Sequence, residues 1–591
     1  MPQNSDLFTT MPVGKAIAKL AIPTVISQII VILYSLADTF FIGKIGDPNQ
    51  ITALSIVFPI YTLLTAIANL FGIGANSIIS RSLSKSDTKT IKQTSAFAFY
   101  GSIIVILFFC VLLAAFMYPI LSFFGADEYT LSYTADYLLW VFVIGGIPTV
   151  AGLVLGHLIR AIGKTKEAGF GLALGGILNI ILDPIFILVF KMEIAGAGLA
   201  TMLSNVISLI FFLVILVKIK KTSAISINPK NFSIRKEVSF GTISVGFPAA
   251  LSVLLVCVSI AVLNGLLLKY PNGNILSAAY GVTSKCGTIA LHISIGIAQG
   301  VMPLIGYSYG AKDHKRVHAV CRLSFIILLI FSVIFLIIVQ LIPSQIVRLF
   351  INHEKTIEVG STFMRCWSWC VIGMSLFNMY NSIFQAVGRW KTSLFLTVLR
   401  LGIIFVSLSF LLDYLFGVTG LMWVQAITDT LSCIIAMIMY YLFKKSLVRN
   451  ADSTSIDEKS ISISNSFVIA ISRQFGSGGR TIGKEVAKKL NIPCYDSELI
   501  EKIAKETGFS KEYVENNETS TQSTSLFLNA ISSRDYTGNS DLDKLWFAQK
   551  KVILELASKG PCVIVGRCAD YILKSDLIVL KFLFMPLKKI V

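Results

Sequence analysis

Charge is what this sequence has least of. Only 14% of its 591 residues are Asp, Glu, Lys or Arg, against about 25% in soluble domains, and the mean hydropathy is +0.75. That excludes a soluble globular protein, and also a disordered one, because disorder requires low hydrophobicity. Cysteine is scarce too: ten Cys in 591 residues, none in a CxxC pair, exclude a disulfide-built secreted scaffold. Cys366 and Cys370 stand one helical turn apart in CWSWC, but buried free thiols behave as small hydrophobes, so no metal site is expected. Acidic residues are outnumbered, and the net charge is +18. The excess lies almost wholly in residues 1–451, which hold 32 Lys/Arg and 16 Asp/Glu, whereas 452–591 hold 19 and 17. A positive excess restricted to the hydrophobic part marks a membrane protein, and no nucleic-acid partner is expected.

Long hydrophobic runs are what the sequence does have. Short polar loops cut it into twelve apolar windows, at 16–42, 51–80, 93–118, 131–158, 167–190, 195–217, 240–268, 276–308, 320–342, 360–386, 392–415 and 418–443. Each is long enough to cross a bilayer as a helix and too continuous for a barrel strand. The first lacks a cleavage-like site and runs too long for a signal peptide, so it is expected to be retained. With the N-terminus inside, the inner loops carry 24 Lys/Arg and the outer loops 5. That bias predicts a multi-pass protein of the bacterial cell membrane with both termini in the cytoplasm.

The hydrophobic part repeats itself. Pro23 in LAIPTV matches Pro248 in VGFPAA, Ile67–Ile91 matches Ile293–Val317, RAIGKTK from Arg160 matches QAVGRWK from Gln385, and GAGLA around Gly198 matches VTGLM around Gly420. The offsets, 225, 226, 225 and 222, are nearly constant. Six crossings return each half to the same side, so the halves have the same orientation and are expected to enclose a central cavity. The fold class predicted is an all-α polytopic membrane protein, twelve transmembrane helices in two six-helix pseudo-symmetric lobes at 1–225 and 226–446. A polar, Ser-rich linker at 447–466 then leads to an α/β segment at 467–591. In that segment 467–472, 492–496 and 561–566 read as strands and 480–490 and SELIEKIAKET as helices.

A carboxylate in hydrocarbon is costly, so each one is a functional candidate. Asp38 in YSLADTFFIG and Asp183 in NIILDPIFI stand well inside their windows, and Asn179 shares a helical face with Asp183. Pro184 and Pro23 each remove a backbone donor, leaving the carbonyls of Ile180 and Lys19 without their usual partners and marking places where the helix bends. No buried Lys or Arg is expected in the first half to neutralise these acids, Lys19 standing at the cytoplasmic end of its window, so a proton or sodium ion is the expected partner. At the repeat offset Asp38, Asn179 and Asp183 fall on Leu263, Ile404 and Leu408, so the ion site belongs to the first lobe alone. In the second half Asp429 either neutralises Lys285 or Arg400 or lines the cavity. His157 and His292 read as packing residues, and His314 and His318 as solvated ones.

The proline in LAIPTVISQ, the run LYSLADTFFIGKIG, the loop RAIGKTK and the stretch GGILNIILDPIFI resemble the multidrug and toxic compound extrusion (MATE) family over residues 12–446. The resemblance implies a secondary active antiporter and no enzyme. It would export cationic amphipathic compounds in exchange for H+ or Na+, as a monomer, with no cofactor. It also implies a coupling and substrate site of Tyr34, Asp38, Asn179, Asp183 and Thr201. FVIAISRQFGSGGRTIG, with CYDSELI and IVGRCADYIL, resembles the cytidylate kinase-like family over 467–591. There Gly476, Gly478, Gly479, Arg480 and Thr481 would hold ATP phosphates, with Arg480 in the lysine place of a P-loop. The arginine-bearing lid expected after FMPLKKIV is missing, so this domain is expected to be incomplete and inactive. Two rival readings are a membrane-tethered nucleotide-binding or kinase protein and a lipid-linked oligosaccharide flippase of related fold.

Overall fold

The computed structural model describes residues 5–220, 223–351, 353–459, 467–473, 479–511, 541–566, 569–573 and 578–584. The chain divides into two compact units, Met1–Leu447 and Val448–Val591.

In the first unit the apolar windows become helices, since lipid offers the backbone no other hydrogen-bond partner. The first lobe holds α1 (Val13–Gly43), α2 (Pro48–Ser84), α3 (Thr88–Ala115), α4 (Leu131–Ile144 and Gly146–Ala161, bent by 49°), α5 (Thr165–Val189) and α6 (Glu193–Ile219). The second holds α7 (Lys236–Leu267), α8 (Gly273–Gly310), α9 (His314–Leu341) and α10 (Glu354–Ser368 and Cys370–Ala386). After α10 comes the stretch Trp390–Lys445. Among the described residues nine helices are long and apolar enough to cross a membrane, or ten with the bent α4 as one span. The remainder of the expected twelve are interrupted helices. Two limbs of α10 meet at Trp369, and the long stretch turns at Gly417, whose φ of 59° and ψ of −140° suit glycine alone. The limbs either side of Gly417 are α11 (390–416) and α12 (418–459). Because α12 stays helical through Lys459, the first part of the expected polar linker has helical backbone.

The duplication is written into the loops. Asp87 caps α3 by accepting from the Thr90 amide at 3.0 Å, and Asp313 caps α9 by accepting from the Arg316 amide at 2.9 Å. Just before each cap a non-glycine residue takes positive φ, Ser86 at 55° and Lys312 at 61°. After α4 and α10, Gly163 and Gly388 share a φ of 81°. The break of α4 at Gly145 and that of α10 at Trp369 fall at equivalent places. Such agreement between turns is expected of a repeated unit and not of unrelated loops.

The lobes meet through their cytoplasmic halves. A Cβ on Gly74 of α2 would come within 1.9 Å of the Thr242 carbonyl oxygen of α7. On the other seam, a Cβ on Gly296 or Gly300 of α8 would reach Val25 or Ala21 of α1 at 2.9 and 2.7 Å. Hydrogen bonds follow the same seams. His292 Nδ1 donates to Gln28 Oε1 at 2.7 Å, and the Ser77 hydroxyl donates to the Gln385 carbonyl at 2.5 Å. Among the described residues the outermost hydrogen bond between lobes joins Thr62 and Cys257, near mid-span.

In the second unit, β1 (Phe467–Arg473), β2 (Cys494–Tyr495), β3 (Cys562–Val565) and β4 (Ile578–Phe584) form a parallel sheet in the order β2-β3-β1-β4. The helices here are α13 (Gly479–Leu490), α14 (Ser497–Thr507), α15 (Asp541–Ser558) and α16 (Ala569–Ile572). The expected strands and helices are all present, and β4 is an additional strand that the sequence reading did not include.

Candidate functional site

The two acids singled out in the sequence come to one level of the first lobe. Helix α5 lies on α1 with almost no side chain between: a Cβ on Gly169 would stand 2.6 Å from the Pro23 carbonyl oxygen, and one on Gly176 2.7 Å from Ile30. The helices are parallel, so this register brings Asp183 level with Ala37, beside Asp38, and each carboxylate lies in the field of the other. The carbonyl of Lys19, expected to be an orphan of Pro23, accepts from the Thr165 hydroxyl of α5 at 3.0 Å, and α1 runs unbroken through the proline. After Pro184, α5 finishes in a π-helical turn, Ile185–Val189, where the widened ladder accommodates the lost donor.

Around the acids the hydrogen bonds are few and specific. Asn179 Nδ2 donates to Asp183 Oδ1 at 3.0 Å and to the Thr201 hydroxyl of α6 at 3.3 Å. Asp183 is wholly buried. The Tyr137 hydroxyl of α4 donates to Asp38 Oδ2 at 3.3 Å, and the hydroxyls of Tyr34 and Tyr61 lie 3.4 Å apart. Four buried acceptors remain without a partner: Asp38 Oδ1, Asp183 Oδ2, Asn179 Oδ1 and Ser204 Oγ. Asn179 and Ser204, but neither carboxylate, line a cavity of about 50 Å³, together with Tyr34, Thr201, Asn205 and Ser208 among others. That is room for a few waters or a small ion. The unpartnered buried oxygens are suited to accept a proton or a cation, because an acceptor left without a donor normally costs about 1–3 kcal/mol.

All five residues expected at the site are thus on neighbouring helices of one lobe. Tyr61 and Tyr137 were not anticipated, because an uncharged aromatic in an apolar window carries no signal that separates it from a packing residue. Arg160 corrects the sequence reading. Expected in a cytoplasmic loop, it is 1% exposed, and its Nη1 donates to Gln299 Oε1 of the second lobe at 3.3 Å and lies 3.5 Å from His157 Nδ1. The first lobe therefore does bury a cation, but it does not pair with Asp38 or Asp183.

The question left open for Asp429 is settled in favour of Arg400. Arg400 Nε donates to Asp429 Oδ1 at 2.6 Å, Gln425 donates to Oδ2 at 2.9 Å, and the guanidinium lies 4.7 Å from the Phe377 ring centroid. Arg400 sits in another π-helical stretch, Val398–Ile404. Both groups are buried and mutually compensated, so this pair is structural.

In the second unit, Gly476 and Gly478, which fall between β1 and α13, lie outside the described residues. Gly479, Arg480 and Thr481 form the first turn of α13, and the Arg480 guanidinium contacts the Asp496 carboxylate.

Comparison with known proteins places both units. Residues 23–185 and 248–411 match the family described as MatE, one stretch in each lobe, and residues 468–588 match the cytidylate kinase-like family. The multidrug export protein MepA of Staphylococcus aureus is 30% identical over 440 residues, covering 74% of this chain and 96% of its own. MepA of Staphylococcus saprophyticus is 28% identical over the same length, with the same coverage. Among solved structures, an outward-facing MATE transporter superposes with a TM-score of 0.69 at 22% identity, covering 76% of this chain and 99% of its own. A MATE structure in a bent conformation gives 0.70 at 21%, with the same coverage. The duplicated helical unit, the family matches in both lobes and the similarity to the MepA proteins lead to one conclusion: this chain belongs to the MATE family of efflux transporters, secondary transporters of the membrane rather than enzymes.

Proposed function

We propose that the protein exports several chemically unrelated cationic, amphipathic compounds across the plasma membrane in exchange for H+ or Na+, bound at Asp38 and Asp183. The observation that carries this reading is the pair of carboxylates at one level of the first lobe. Neither has a basic partner among the described residues, and each keeps an oxygen without a donor. A proton turns such an oxygen into a donor, and a sodium ion takes it as a ligand; a cationic drug offers the same charge. Ion and drug therefore compete for the same acids. A ligand moves a conformational equilibrium only through its differential affinity for the two states. With the cytoplasmic halves sealed, the site is offered to the outside, so an ion arriving there displaces the drug outward. When the cytoplasmic seams part, the emptied carboxylates recruit the next drug from the cytoplasm or the inner leaflet. Both chain ends lie in the cytoplasm in this arrangement.

The test is efflux of an ethidium-type dye from proteoliposomes under separately imposed proton and sodium gradients, with Asp38→Asn and Asp183→Asn beside the unaltered protein. Export driven by one gradient and lost in both variants is the expected result. Normal export by the Asp38→Asn protein refutes the coupling role.

A further inference from the structure

Helix α8 of the second lobe carries a lysine deep in its apolar stretch that the coupling reading does not use. Two-thirds of the apolar window of α8 is buried, 67% against 28% for its neighbours α7 and α9, so α8 is an interior helix and not a lipid-facing one. One face of it, traced by Gly281, Lys285, Thr288, His292, Gly296 and Gly300 at spacings of three and four, grades steadily in exposure. Gly300 and Gly296 are buried against α1, His292 and Thr288 are partly covered, and Lys285 and Gly281 are exposed. The same face seals against the first lobe at its cytoplasmic end and stands open at its outer end. Lys285 thus projects into the space between the lobes.

Its depth follows from the seam. Gly300 opposes Ala21 and Gly296 opposes Val25, an antiparallel register that, carried outward along both helices, sets Lys285 level with Leu36. That is within one turn of Asp38. Among the described residues no carboxylate pairs with Lys285, and the acids that could have done so are already engaged: Asp429 with Arg400, and Asp413 by the Tyr270 hydroxyl at 2.6 Å. An ammonium left without a partner at that depth is costly unless water or a ligand reaches it. The facing lobes therefore carry opposite charge at one level, carboxylates on α1 and α5 and an ammonium on α8.

We infer that Lys285 is a specificity determinant that seats an anionic group, such as a carboxylate, on the exported compound. This rests on the export reading above and narrows it. The site then favours amphipaths bearing both a cationic and an anionic group, the cation toward Asp38 and Asp183 and the anion toward Lys285, over simple monocations, which it still admits but holds less tightly. Specificity of this kind comes from an unfavourable charge as much as a favourable one.

The test uses two dyes on one ring system, a monocationic rhodamine ethyl ester and the zwitterionic free acid of the same dye. Their binding to the purified full-length protein is followed by fluorescence polarisation. Lys285→Gln is expected to weaken the free acid roughly tenfold, the scale of one charge-assisted contact, and to tighten the ester severalfold, while Lys285→Arg keeps the order of the unaltered protein. Changes of the same sign for both dyes, or no change for the free acid, overturn the inference but leave the export reading standing. Failure of the unaltered protein to bind either dye overturns both.

Discussion

Gly246 of α7 lies so close to Leu70 of α2 that a Cβ on the glycine would stand 1.7 Å from the leucine carbonyl oxygen. The pseudo-equivalent of Gly246 is Ala21, and that of Leu70 is Gly296, yet Ala21 opposes Gly300, one helical turn further toward the cytoplasm. The two seams are thus related by the duplication but slipped by a turn, and each depends on a glycine where the backbones touch.

Gly246→Val is expected to hold the cytoplasmic seam open. Overpacking at a close contact costs about 1–3 kcal/mol, enough to shift the conformational balance roughly tenfold. Ser35→Cys, on the exposed outer part of α1, reports the state: an impermeant thiol reagent should label it more slowly in the Gly246→Val background, and export should fall. Gly43→Ala, where nothing lies within 4 Å of the added Cβ, is the control that should change neither.

Asn179→Leu removes the donor to Asp183 and leaves a buried carboxylate oxygen unsatisfied. A loss of about 1–3 kcal/mol is expected, read as a tenfold or greater fall in dye efflux at unchanged membrane insertion. Efflux within twofold of the unaltered protein would show that the amide does not support the acid.

For the buried pair of the second lobe the single and double replacements should differ in sign. Asp429→Leu strands the Arg400 guanidinium and should destabilise the protein by about 3–5 kcal/mol, whereas Arg400→Met with Asp429→Leu should recover most of that and still export dye. Thermal unfolding in detergent gives the first reading and proteoliposome efflux the second. A stable but inactive double variant would assign the pair to transport.

Outside the membrane, the side chain of Thr90, helped by its amide, holds the Asp87 carboxyl below the ordinary aspartate range. A depressed carboxylate contributes stability above its unfolded value of about 3.9, and that contribution is lost as pH falls through the lowered folded value. The protection of the Thr90 amide against exchange, taken relative to its intrinsic rate at each pH, should therefore fall below about pH 4, and Asp87→Ala should show the lower protection already at neutral pH.

Much of this was readable from the residues. Asp38, Asp183 and Asn179 stand out because polar groups in hydrocarbon are expensive, and the repeat offset alone assigns them to one lobe. The outer tyrosines do not, since burial of an aromatic is unremarkable until its hydroxyl is seen to meet a carboxylate. Arg160 was misplaced because it adjoins the loop GKTK, and only packing reveals that the turn begins after it. The breaks at Trp369 and Gly145 left the hydropathy of their windows intact, so length alone gave unbroken spans. The slip between the seams is a property of the contact between helices, which no single helix encodes.

Leu263 and Leu408 occupy the second-lobe places that Asp38 and Asp183 hold in the first. The duplicated half thus contributes no titratable group there. If ion exchange is seated on that pair, as proposed above, the stoichiometry is capped at two charges per cycle, however steep the gradient, and the loss of either acid has no twin to stand in for it.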